Sequence, residues 1–237
     1  MRTLPRSTEV EHAATSVFNR LGGLMGVLAS DTGMEVSTVV AVWVAEGGNR
    51  LFLPKRAPIR LEVHQLFEGW GKRNRQIFDT HFRFGGHSLQ PGQPWENQEF
   101  RTENPGPFTS VHHNQNSEYA ALTLAQILSG DEVAVASCSI GGCQLTMNAH
   151  GLLGFDSACQ MYEAFQQSER AHVVGFFDFC RNKPAPKVGE LINCLRVKDW
   201  TNFAKNYNGP ETAPIYGPRL ENAYRAAAGL ITEKKAA

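Results

Sequence analysis

The most apolar stretch of the chain ends in a carboxylate. Residues 36–45 read V-S-T-V-V-A-V-W-V-A, and Glu46 follows, then Gly47 and Gly48. On a helix, Glu46 falls at the C-terminal end, where unpaired carbonyls carry partial negative charge and the neighbours are apolar. Both conditions disfavour the ionised form and raise the pKa. A carboxylic acid still protonated near neutral pH is what the departure of a glycosidic oxygen requires. The two glycines let substrate or backbone come close. A second acid, Glu62, stands two residues from Arg60 on one side and from His64 on the other. Basic neighbours on one face of a strand favour its charge, which suits a base or an electrostatic partner. Two carboxylates whose surroundings push their pKa values apart form the general arrangement for hydrolysing a glycosidic bond.

Two further motifs are weaker alone. Ser139-Ile140-Gly141-Gly142-Cys143-Gln144 combines small residues, which allow a turn to approach a sugar, with an amide that donates and accepts hydrogen bonds. Tyr207-Asn208-Gly209-Pro210 closes an amphipathic segment with a turn. His64, His81, His87, His112 and His113 match no metal-ligand spacing and read as polar residues in or near a cleft, so neither a metal nor another cofactor is expected.

Several elements must position these groups. Ala13, Ala14, Val17, Phe18 and Leu21 follow a helical rhythm that Gly22-Gly23 is expected to break. The stretch before Glu46 is apolar nearly all round, as befits the central helix of a domain. Ile59, Leu61 and Val63 alternate with Arg60, Glu62 and His64 in the period of a half-buried strand. Residues 79–116 are polar, rich in Gly and Pro, and carry Phe82, Phe84, Trp95, Phe100 and Phe108, which reads as one long irregular excursion with a role in recognition, Trp95 foremost. From Ser117 onward the helical rhythm returns and persists. The expected fold is mainly α (α+β), a single domain over 1–237.

Bulk properties narrow the partners. The 237 residues are 42% hydrophobic, and 23 basic side chains balance 23 acidic ones, so no global field draws the protein to nucleic acid or to an anionic surface. No apolar run is long enough for a membrane span or for a secretory signal, so synthesis in the cytoplasm is expected. The cysteines Cys138, Cys143, Cys159, Cys180 and Cys194 form no C-x-x-C pair and read as free thiols.

In this order the pieces resemble the N-acetylmuramidase domain of phage endolysins and related antibacterial effectors, itself similar to goose-type lysozymes and lytic transglycosylases. The resemblance runs from about Val36 to Ala226. Glu46-Gly47-Gly48 looks like the family's E-S-G-G acid motif, and Leu61-Glu62-Val63-His64 looks like its F-E-R-H strand. Glu118-Tyr119 resembles a Q-Y motif, and residues 137–148 resemble S-x-S-W-G-x-x-Q-I-M-G-x-N, with Ile140 in place of the tryptophan. Residues 199–210 match D-W-x-x-F-A-x-x-Y-N-G-P closely, the most specific likeness of the set.

The resemblance implies a lysozyme-like helical domain with a small β-strand region beside an active-site cleft, without a separate wall-binding module. It implies a glycosidase that cleaves between N-acetylmuramic acid and N-acetylglucosamine in peptidoglycan. Glu46 would be the acid and Glu62 the second carboxylate, with His64, Tyr119, Ser139, Gly141, Gln144, Tyr207 and Asn208 holding the glycan. A lytic transglycosylase, or a silent glycan-binding protein of the same fold, are the alternatives. Delivery would need a holin-type pore, cell lysis or a secretion machine, and an effector would have an immunity protein or an adaptor as partner.

Overall fold

The computed structural model describes residues 8–47, 56–87 and 90–236, with side chains through 232. Gly48, the third residue of the acid motif, lies outside them. In chain order the elements begin with α1 (Glu9–Asp31) and α2 (Val36–Gly47). Then come β1 (Ile59–Leu61), α3 (Val63–Gly69), α4 (Arg75–His81), β2 (Phe82–Arg83), β3 (Glu99–Phe100) and β4 (Thr109–Ser110). They are followed by α5 (Gln115–Ser129), α6 (Asp131–Ala136), β5 (Cys138–Ile140), β6 (Leu145–Thr146) and α7 (Ala158–Gln167). The chain closes with α8 (Glu169–Asn182), β7 (Pro184–Ala185), β8 (Gly189–Glu190), α9 (Leu191–Arg196), α10 (Trp200–Tyr207) and α11 (Ala213–Ala236). The fold is mainly α with small antiparallel sheets, as the sequence implied. The chain divides into two compact units: residues 1–53 with 168–237, and residues 54–167.

The first unit is helical and built around α2. Every residue from Ser37 to Ala45 is buried, although half of the helix is β-branched and such residues are poor helix formers. Packing decides instead: α2 is flanked by α1 and α11, and Trp43 meets Phe176 of α8 edge-on at 5.2 Å. Helix α1 starts with a capping box, in which Thr8 and Glu11 satisfy each other's backbone N–H. It runs straight through Gly22-Gly23, where a break was expected. A β-carbon on Gly22 would come within 2.7 Å of the Phe18 ring, so this glycine makes room for an aromatic side chain one turn earlier rather than ending the helix.

The second unit carries two three-stranded antiparallel sheets. In the first, β5 lies between β1 and β6, pairing Arg60 with Ser139 and Ile59 with Ile140. The strand expected to run through Val63 stops at Leu61; Glu62 is the N-cap residue of α3, and Val63 already belongs to that helix. The free edge of β1 is closed by side chains of α5. Gln115 accepts from the Ile59 N–H at 2.9 Å and donates to the Ile59 carbonyl at 2.8 Å, while Glu118 accepts from the Leu61 N–H at 2.9 Å. An edge strand's exposed ladder is thereby satisfied without another strand. The second sheet, β2-β3-β4, corrects the reading of residues 79–116 as irregular. Phe82, Phe84 and Phe100 are buried and form local core, while Phe108, half-buried, lies beneath the guanidinium groups of Arg83 and Arg101. Trp95 stays exposed at 41%. The second half of the chain is not purely helical either, since β5–β6 and β7–β8 form hairpins.

No helix among the described residues is long and apolar enough to cross a membrane. The edge closure has a measurable consequence. Gln115→Ala would leave both Ile59 backbone groups without their partners and is expected to destabilise the fold by about 1–3 kcal/mol. Urea unfolding checks it: an unchanged midpoint would mean that this clasp contributes nothing.

Candidate active site

Glu46 occupies the last turn of α2, half-buried, with the helix's unpaired carbonyls behind it. Its Oε1 accepts a hydrogen bond of 2.8 Å from the amide of Asn208, the C-cap residue of α10. Aromatic packing sets that amide in place: Tyr207 stacks on Phe203 at 4.9 Å and meets Phe179 and Phe176 of α8 edge-on. Phe176 in turn touches Trp43, one turn before Glu46. The turn after Asn208 passes through Gly209 at φ +109°, a conformation that side chains other than glycine's rarely adopt. Desolvation is the dominant influence on the acid and lifts its pKa from an ordinary 4.5 to about 7, against the Asn208 hydrogen bond and the charge of Arg219, which both lower it.

Glu62 is built the opposite way, and it belongs to the other unit. Arg60 donates to its Oε1 at 2.7 Å, and Gln98 donates to its Oε2 at 2.8 Å. His64 Nδ1 lies 3.6 Å from Oε2, too long for a hydrogen bond. Burial works to raise this pKa, but Arg60, Gln98 and His112 outweigh it and hold the carboxyl below the usual range. The backbone beside it is fixed at three successive amides. Leu61 N–H goes to Glu118, Glu62 N–H to the Ser137 carbonyl at 2.9 Å, and Val63 N–H to the Gln98 side chain. One carboxyl is thus tuned to keep a proton near neutral pH and the other to lose it.

The sequence matches the model of the muramidase family, described as N-acetylmuramidase, over residues 35–228. This chain belongs to the N-acetylmuramidase family. Membership makes it a peptidoglycan glycosidase, and both acids fall inside the matched region. Among solved structures it is similar to the crystal structure of a Burkholderia AP3 phage endolysin, with a TM-score of 0.62 and 23% identity over 96% of this chain and 74% of that one. At that identity the likeness speaks for the fold alone, which the two share as a mainly α architecture. No curated protein matches the chain.

For the other residues singled out in this muramidase, the structure gives specific surroundings. Asn208, expected on the glycan, is bonded to the acid. Tyr207 lies in the aromatic cluster that holds it. Tyr119 donates to the Ala57 carbonyl at 2.7 Å, accepts from Gln166, and carries Arg56 over its ring. Ser139 is buried in β5, and Gly141 at φ +84° with Gln144 at φ +51° turns β5 into β6, the Gln144 amide donating to the Gly141 carbonyl. Ile140, in the place of the family's tryptophan, is fully buried against Ile59. Among the histidines, His87 stacks on Phe84 and pairs with Asp79 at 2.7 Å, and His81 bonds the Arg101 carbonyl. Among the described residues no cluster of His, Cys, Asp or Glu is arranged to hold a metal ion. Gln98 and Glu118 went unassigned in the sequence because their partners lie 36 and 57 residues away, beyond any local pattern.

The raised pKa of Glu46 costs stability. The unfolded chain ionises this residue near 4.5 while the folded chain keeps its proton to about 7, so folded-state stability falls as pH rises between those values. The loss amounts to about 3 kcal/mol once pH exceeds 7. Glu46→Gln retains the acceptor for Asn208 and removes the titration. It is expected to melt higher than the parent at pH 8 and at the same temperature near pH 4. Equal melting temperatures at both pH values would contradict the assigned environment.

Proposed function

We propose that this muramidase hydrolyses the β-1,4 bond between N-acetylmuramic acid and N-acetylglucosamine, with Glu46 as general acid and Glu62 as the second carboxylate. The observation that carries this reading is the desolvated Glu46, protonated near neutral pH and held by Asn208. As the bond breaks, Glu46 transfers its proton to the leaving oxygen, and positive charge develops on the ring as an oxocarbenium-like centre. An ionised Glu62 supplies negative charge to that centre or takes a proton from water, and its pairing with Arg60 and Gln98 keeps it ionised. Asn208 is a positioning residue for the acid. Trp95, exposed on the β2–β3 connection, offers a face for a sugar ring.

Hydrolysis is favoured over the anhydro-forming reaction because that route needs no second carboxylate to handle water. Digested wall should therefore yield muropeptides with reducing N-acetylmuramic acid ends, read by mass spectrometry; dominant 1,6-anhydro ends would assign the chain to the transglycosylases. The rate on wall should decline as pH rises through about 7, where Glu46 loses its proton. Glu46→Gln should abolish turnover in a folded protein, and near-parental activity of that variant would overturn the acid assignment.

A further inference from the structure

Beneath Glu62 lies a second buried acid. Glu118 is 4% exposed, and both its oxygens are engaged: Oε2 accepts from the Leu61 N–H at 2.9 Å, and Oε1 faces His112 Nδ1 at 2.8 Å. A carboxylate only accepts, so Nδ1 must carry the hydrogen, and a neutral imidazole then presents Nε2 as an acceptor. Nε2 is itself buried and meets no hydrogen-bonding partner among the described residues. Val111, the neighbour of His112, donates to the Gln98 carbonyl at 3.0 Å, and the Gln98 side chain donates to Glu62 at 2.8 Å, so the ring and the carboxyl are tied to one residue. The same glutamate therefore fixes the backbone immediately before Glu62 and the orientation of a ring beside it. A buried nitrogen without a partner is costly in a folded protein and calls for a donor, which the described residues do not supply.

We propose that Glu118 and His112 form a carboxylate–imidazole pair that positions Glu62, with His112 held as the Nδ1–H tautomer so that Nε2 accepts a hydrogen bond from the water handled at Glu62. This rests on Glu62 being the second carboxylate. Glu118 and His112 are positioning residues: the proton and the sugar pass through Glu46 and Glu62. Glu118 combines two jobs that an amide cannot perform without change. In Glu118→Gln the amide oxygen must still serve the Leu61 N–H, which turns the NH2 group toward Nδ1. His112 is then forced to the opposite tautomer, with hydrogen on Nε2 and no acceptor for water.

The test uses the full chain, labelled with nitrogen-15, and long-range proton–nitrogen spectra of its histidines at pH 8, with the His112 signals identified by their absence in His112→Gln. The parent should show hydrogen on Nδ1 and Glu118→Gln hydrogen on Nε2. On soluble glycan fragments, kcat of Glu118→Gln should fall at least about tenfold with KM unchanged. Should that variant fail to fold, His112→Gln, which leaves the Leu61 clamp intact, should show the same fall in kcat. An Nε2–H tautomer in the parent would overturn the proposal, as would a tautomer switch, or loss of the ring, that leaves kcat at the parental value. Full activity of Glu62→Gln alongside the expected tautomers would instead remove the underlying reading of Glu62 and, with it, the positioning role.

Discussion

The energetic centre of this molecule is a half-buried carboxyl group largely desolvated by its surroundings. Nothing in the covalent chemistry of glutamate makes it an acid at neutral pH; desolvation at the end of an apolar helix does. That requirement explains why α2 is buried from Ser37 to Ala45, why it is flanked by α1 and α11, and why an aromatic chain from Trp43 through Phe176 to Tyr207 ends beside the Asn208 amide that bonds Glu46. The helix is built from residues that resist helix formation, and it holds because its environment leaves no other way to bury them. The acid lowers the stability of the fold that creates it, an exchange common at catalytic positions.

Glu62 obeys the opposite logic with the same means. It too is surrounded by protein, but two donors converge on it, Arg60 from β1 and Gln98 from the segment before β3. Charge complementarity outweighs desolvation there and loses to it at Glu46. The separation of the two pKa values follows from that difference, and an acid and an ionised partner are the pair that glycoside hydrolysis employs.

Much of this was legible in the sequence where chemistry and periodicity were local. The run ending in Glu46 announced a buried helix and a perturbed acid, and Arg60 and His64 announced an anionic Glu62. The fold class and the family followed from motifs spread along the chain, and the family match covers them. Legibility ended where partners are remote. Gly22-Gly23 looks like a helix stop until the Phe18 ring is seen to need the space. The alternation through Val63 looks like a strand until Gln98 and Glu118 are seen to take the amides that another strand would have bonded. The aromatics of residues 79–116 looked like exposed recognition groups, but a sheet of two-residue strands, too short to have a periodicity, buries most of them. Asn208 read as a sugar ligand because its motif resembles the family's Y-N-G-P, and only the packing of α10 reveals its hold on Glu46.

The account stands on the proton of Glu46, and that proton can be followed directly. In protein labelled with carbon-13 at glutamate side-chain carboxyls, with the Glu46 signal identified by its loss in Glu46→Gln, the carboxyl shift is recorded from pH 3 to pH 9. The account predicts a midpoint at about 7. A midpoint near the ordinary glutamate value would contradict it, since the residue would then be ionised throughout the range in which it is required to act as an acid.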